Sequence, residues 1–358
     1  MRLTGNKGEW SELYAFIKLL STGTLYAADE NTNRIENVYF PILKIFRSES
    51  DTLDMEYVIK SEDNGVEVHW HAETVRTLDQ SQLRRYAAYL YSCISQGGNR
   101  AFEIDGSKEI MDEIACTKIV APSTDKTDIT MQLHDIQTGY SPVCGFSIKS
   151  ELGNPPTLLN ASGATNFVYE VNGISDEQAE RINNIDTRNK IIDRVEAIYQ
   201  EGNLKYKCMA NKIFSNNLMF IDTYMEEIIA NLLLDYYHGG VSDCKTLVER
   251  LEEKNPLGYP RAGIYEYKVK KFLCSVALGL TPSRVWDGRD EANGGYVIVK
   301  NDGDVVAYHI YNRDAFETYL LNNTKLERGS TSRHRFASIY TDESGNKYIN
   351  LNLQIRFV

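Results

Sequence analysis

Asp128-Ile-Thr-Met-Gln-Leu-His134 and Val143-Cys-Gly-Phe-Ser-Ile-Lys149 flank the turn-forming segment Asp135–Pro142. The alternation of apolar and polar residues on either side of this segment predicts two antiparallel strands joined by a turn. About a turn centred on Gln137–Gly139, Asp128 and Lys149 are equally far from the bend and so face each other. Ser147 and Lys149 are two residues apart and emerge on one face of their strand. This stretch therefore predicts a carboxylate, a hydroxyl and an ammonium group gathered at one end of a hairpin.

An Asp at the start of one strand facing x-x-Lys on the next resembles the layout of the PD-(D/E)xK nucleases, although Asp and Lys on neighbouring strands also occur as plain surface ion pairs. The chemistry is coherent. Phosphodiester hydrolysis calls for a hard, oxygen-ligated cation and a positive group near the developing charge. Ser147 stands where the superfamily pattern has an acid, so another carboxylate is needed. Gly8-x-x-x-Glu12 in the predicted first helix resembles the helix glutamate that completes metal sites in several of these nucleases, which makes Glu12 the first choice and Glu9 and Glu151 the fallbacks. The resemblance implies Asp128 and Glu12 as Mg²⁺ ligands, with the main-chain carbonyl of Ile148 as a further one. It casts Lys149 as the group that acts on water and phosphate, with Ser147 hydrogen-bonded beside them.

Working outward, Glu9–Leu20 has near-helical apolar periodicity with a wide buried face. Short strands are expected at Val38–Phe46, Met55–Ile59, Val66–Trp70 and Lys118–Ala121, with helices at Ser81–Ser95 and Lys108–Ile114. From about Gly173 the pattern turns helical, at Ser175–Asn183, Thr187–Tyr199, Asn217–Tyr237 and Ser242–Glu253. After Gly288–Gly295 two hairpins are expected, Tyr296–Lys300 with Val305–Tyr311 and Ala337–Tyr340 with Tyr348–Phe357. The fold class read from this is α/β: a nuclease core in residues 1–170, a helical region in 171–290 and a β-containing C-terminal region in 291–358. The helical part would make dimer contacts or clamp DNA, and the last would recognise it.

The 358 residues carry a formal charge of −11, which argues against a protein that coats nucleic acid by bulk charge but leaves room for a local basic cleft. Six cysteines without a C-x-x-C pair read as reduced thiols. The longest apolar runs fall short of the roughly 20 residues of a membrane helix, and residues 1–8 do not resemble a signal peptide, so the expectation is a cytoplasmic protein without membrane contact.

Longer strings extend the resemblance. Asn6-Lys-Gly-Glu-Trp-Ser-Glu-Leu-Tyr14, Gly145-Phe-Ser-Ile-Lys-Ser-Glu-Leu-Gly153 with Thr157-Leu-Leu-Asn-Ala-Ser162, and Leu351-Asn-Leu-Gln-Ile-Arg-Phe357 together resemble the HpaII-type family of type II restriction endonucleases. That resemblance implies Mg²⁺-dependent cleavage of short palindromic double-stranded DNA, by analogy CCGG, by a homodimer, with a companion methyltransferase protecting the same site. The loop Lys325–Arg335 is the densest cationic and hydroxyl cluster of an acidic chain. Its Arg328, Ser332, Arg333, His334 and Arg335 are the leading candidates for reading guanine. Asn160 and Ser162, with Thr165 and Asn166, follow the catalytic strand and are candidates for DNA contact or for ordinary capping. His69 and His71 on one predicted strand suggest a weak transition-metal pair, and Lys268, Lys270 and Lys271 a phosphate track or a solvated face. The rival functions are a Ser147/Lys149 amidase and an inactive, DNA-binding relative of the nucleases.

Overall fold

The computed structural model describes all residues except 1–2, 51–52, 61, 99, 121–126, 310–311 and 335. It is a mixed α/β protein whose chain divides into two units, Met1–Pro156 with Asp290–Tyr319, and Thr157–Arg289 with Leu320–Val358. This differs from the expected segments 1–170, 171–290 and 291–358. The hairpin Gly295–Val299 and Val305–His309 is built into the first unit, because Gly295–Val299 pairs in parallel with Val143–Ser150, Gly295 opposite Phe146 and Val299 opposite Ser150. Both strands of that hairpin are buried along their whole length, as strands covered on both faces must be. A hairpin is legible in sequence; the sheet it joins is not.

The sheet of the first unit runs in the order 24–28, 305–309, 295–299, 143–150, 129–133, 34–50, 53–60, 65–70, 73–79. The long strand Arg34–Ser50 pairs with Thr24–Ala28 up to Pro41 and with Ile129–Leu133 and Leu53–Lys60 beyond it, so one strand ties two parts of the sheet together. One face is covered by the first helix, Lys7–Thr22, which buries Trp10, Leu13, Phe16, Ile17 and Leu20 beside Ile129, Ile148 and Val297. The other is covered by the helix Arg313–Asn322, whose Phe316 packs on Tyr296 and Tyr308. Gly295 has φ +107, and a Cβ there would lie 1.9 Å from the Tyr308 carbonyl oxygen, so the parallel strand can start only with glycine.

The central hairpin forms, with a register two residues away from the expected one. Ile129 stands opposite Phe146 and Thr130 opposite Gly145, which places Asp128 across from Ser147 and Lys149 on the diagonal. The turn sets this. The Asp135 carboxylate accepts from Gln137 N (2.9 Å) and Thr138 Oγ1 (2.6 Å), and Gly139 at φ +71 donates to Asp135 O, centring the bend between Gln137 and Thr138. Because a strand alternates with period two, an even slip leaves all three side chains on the face expected of them.

Lys118–Val120 is irregular instead of a strand, and residue 121 lies outside the described residues. The carbonyls of Lys118 and Ile119 accept from the guanidinium of Arg47, which is 6% exposed and lies 5.1 Å from the Phe16 ring. Its counter-ion Glu49, 1% exposed, is 2.7 Å away and also accepts from Thr117 N and Oγ1.

The second unit holds the four-stranded sheet 203–209, 166–172, 347–352, 339–341, packed with helices. The middle region is thus not purely helical, since Asn203–Met209 is a strand beside Asn166–Asn172. The single helix expected over Asn217–Tyr237 is two, Lys212–Ile221 and Met225–Gly239, broken where Asp222 is extended and its carboxylate takes Tyr224 N and Lys268. The last strand is also two, Lys347–Asn352 and Ile355–Phe357, in different sheets, because Leu353 N turns to Thr165 O. Ile264–Leu278 is a helix where no element was expected.

Glu49→Ala should destabilise the protein by about 3–5 kcal/mol in urea denaturation, since it leaves the Arg47 charge buried without its counter-ion. A loss under about 1 kcal/mol would mean that water reaches Arg47.

Candidate active site

Asp128 sits just before the strand Ile129–Leu133, anchored by its own N–H to Phe146 O at 2.9 Å. Its Oδ2 accepts from Ser147 Oγ at 2.8 Å and from Ile148 N at 2.7 Å. Lys149 Nζ in turn donates to Ser147 Oγ at 2.7 Å, so a single chain of hydrogen bonds runs from ammonium through hydroxyl to carboxylate. Burial holds the Lys149 pKa below its ordinary value, against the opposing pull of Asp128 and Glu12. The Tyr296 ring, 5.2 Å from Nζ, adds a cation–π contact. Ser147 is 3% exposed and commits its proton to Asp128, which gives a Ser147/Lys149 amidase no free nucleophile.

Glu12 comes from the first helix. Asn6 caps that helix through Gly8 N and Glu9 N, and Glu9 returns the bond to Asn6 N at 2.7 Å. Glu9 is therefore committed to the cap, and Glu12 is the next acid along. Half-buried between buried Ser11 and Leu13, its carboxyl is pushed up to about 8, first by desolvation and then by the Asp128 charge, with Lys149 and Arg47 pulling the other way. Glu12 and Lys149 line one cleft of about 430 Å³ with Lys7, Ile148, Gly153 and Asn154. Glu151, the other fallback, points elsewhere, its carboxylate accepting Asn301 N at 3.1 Å and capping the neighbouring hairpin.

Four sequence-predicted residues, Asp128, Ser147, Lys149 and Glu12, thus come together in the first unit. Two carboxylates with an adjacent main-chain carbonyl form a hard oxygen set of the kind Mg²⁺ accepts, since that ion keeps several waters of its own. Among the described residues no group of three or more His, Cys, Asp or Glu side chains is gathered around a common point. Arg47 escaped sequence reading; its only signal was an arginine directly after the Ile42–Phe46 stretch.

The proposed DNA-reading residues all lie in the second unit. Arg333 and Ser332 are exposed on the short helix Thr331–His334, and among the described residues Arg333 has no ion pair. Arg328 is held by Asn189 Oδ1 at 3.0 Å and by the Tyr236 hydroxyl. Asn160 is exposed, whereas the Ser162 hydroxyl caps the turn Gly163–Thr165 and Thr165 and Asn166 are buried. His334 is half-buried, and Arg335 lies outside the described residues. His71 falls in a turn at φ +48 after the strand Gly65–Trp70, so it does not pair with His69, which bonds Glu67. Lys268 and Lys270 are paired with Asp222 and Glu266, which leaves no open track of lysines.

Comparison with known proteins settles the family. The model of the HpaII restriction endonuclease family matches residues 6–357. The chain belongs to the HpaII restriction endonuclease family. It is 41% identical over 360 residues to the type II restriction enzyme HpaII of Haemophilus parainfluenzae, covering 99% of each chain. No solved structure matches it. As a member of the HpaII family the chain is a type II restriction endonuclease, and no described helix is long and apolar enough to cross a membrane.

Removing the Asp128 charge in Asp128→Asn should lower the metal-free pKa of Glu12 while leaving it above an ordinary glutamate, because desolvation is the larger cause. Lys149→Met should raise it. Carboxyl ¹³C titration by NMR reads both, and a Glu12 unmoved by either change would separate it from the pair.

Proposed function

We propose that the cleft of Glu12 and Lys149 is the nuclease centre of a PD-(D/E)xK fold and that this enzyme cuts double-stranded DNA at CCGG with Mg²⁺. The observation that carries the reading is the Lys149–Ser147–Asp128 hydrogen-bond chain, electrostatically coupled to Glu12. Asp128 and Glu12 would hold the cation. The Ile148 carbonyl is a third oxygen: its N–H already points to Asp128, and in an antiparallel strand N–H and C=O of one residue point the same way, here past the end of the partner strand. When bound, Mg²⁺ supplies a Lewis acid for the scissile phosphate and a water of lowered pKa.

The chain's own residues do the rest. Lys149 presents its ammonium to the phosphate oxygens as charge builds up on them, a stabilisation greatest in the transition state. Ser147 supplies no charge. It holds the Lys149 head group at a fixed distance from Asp128, so the two do not collapse into a direct ion pair that would blunt both.

On the recognition side, Arg333 reads a guanine bidentately, supported by its exposure and by its having no ion pair among the described residues, with Ser332, His334, Arg335 and Asn160 as further DNA-contact candidates and Arg328 and Ser162 as supports. One catalytic cluster per chain hydrolyses one strand, which favours a homodimer on the palindrome. The 41% identity to HpaII supports a restriction–modification setting with a methyltransferase acting on the same sequence in the cytoplasm.

Plasmid incubated with Mg²⁺ should give discrete fragments and with EDTA none. Glu12→Gln and Asp128→Asn should abolish most cleavage, and Glu9→Gln much less. Lys149→Ala should lose single-turnover rate while keeping gel-shift affinity for its target; near wild-type cutting by that variant would end the assignment. Arg333→Ala should cost about 1–3 kcal/mol and relax one base position, whereas an equal loss on all sequences would mark a phosphate contact instead.

A further inference from the structure

Within the second unit, two loops that carry the exposed polar residues are joined by a buried amide relay. Asn352 is 0% exposed, and its Nδ2 lies 2.7 Å from Ser162 O, 3.1 Å from Thr165 Oγ1 and 2.6 Å from Asn166 Oδ1. Asn166, 4% exposed and paired with Asn352 across the sheet, passes the link on from its own Nδ2 to His334 O at 2.9 Å. The loops also touch directly: a Cβ on Gly329 would lie 2.7 Å from Ala161 Cβ, closer than two side chains can approach, and in tight contact with Asn352 Oδ1 at 3.3 Å. Asn160 stands exposed on one loop and Arg333 on the other. A buried polar network is a poor source of stability compared with apolar packing, but it favours a single arrangement here, because moving either loop strips the Nδ2 donors of Asn352 and Asn166 of their acceptors, while Asn352 Oδ1 has no partner among the described residues.

We propose that Asn166 and Asn352 are positioning residues for sequence discrimination. They lock the loop of Asn160–Ser162 and the loop of Arg328–His334 into one DNA-reading surface, and the glycine at 329 lets the two meet. This rests on the reading above that these loops contact DNA. Neither asparagine touches a base; each acts by holding Ser162 and His334, and with them the exposed side chains, in a fixed relation.

The test measures kcat and KM on the target duplex and on duplexes with one base pair changed. Gly329→Ala forces the loops apart without deleting a polar group. It should raise KM on the target and reduce discrimination by about tenfold, the scale of one mismatched base pair, with a much smaller change in kcat. Gly329→Ala with Ala161→Gly should recover both. Asn166→Ala, which removes the link without adding bulk, should repeat the loss and serves if Gly329→Ala does not fold. Variants that only lower Tm and slow cleavage of all duplexes in proportion would overturn the proposal, because a purely structural role leaves discrimination intact. Arg333→Ala and Asn160→Ala provide the control. If they loosen discrimination and the latch variants do not, the coupling alone is wrong; if they change neither affinity nor discrimination, the DNA-contact reading falls and the coupling with it.

Discussion

Everything at the candidate site follows from holding two carboxylates close enough to repel in a place too dry to screen them. Desolvation is the largest cause holding the Glu12 pKa up, and the Asp128 charge raises it further. The arrangement survives because other charges answer it: Lys149 from the same strand face, and the Arg47 guanidinium beneath, whose own counter-ion is Glu49. The fold positions each by a different element, a helix for Glu12, a strand end for Asp128 and the middle of the sheet for Lys149. The unfavourable charge of the metal-free state is what gives such a site affinity for a divalent cation.

The substitution of serine for the expected acid has a clear physical result. A carboxylate at 147 would sit within hydrogen-bond reach of both Lys149 and Asp128, making a third repelling charge. The hydroxyl accepts from one and donates to the other, which a carboxylate cannot do.

How much was legible in the sequence depended on whether a signal was local. The first helix, the hairpin of Asp128 and Lys149, and the hairpin after Gly295 all rest on short-range patterns, and each formed. Partners set by distant contacts did not show: the docking of Gly295–Val299 on Val143–Ser150, the strand Asn203–Met209, and the division of the last strand by Thr165. The hairpin register was missed by two because Asp135 builds an Asx-type turn that shifts the bend. The candidate acid Glu12 was legible by resemblance, while Arg47 and Asn352 matter through burial, which a single charged or amide residue in an apolar stretch does not reveal.

The late arrival of Gly295–Val299 bears on how the protein is made. The strand that carries Lys149, Val143–Ser150, has Ile129–Leu133 as a neighbour almost at once, but its other neighbour lies about 150 residues further along the chain. At ribosomal speeds of about 5–20 residues per second, that edge stays unpaired for roughly 8–30 s after the strand has emerged. Until then the first unit lacks two of its strands and Tyr296, the ring over Lys149. A chain broken off before residue 295 cannot complete the sheet that aligns the cluster, so ordering of the site waits until most of the protein has been synthesised.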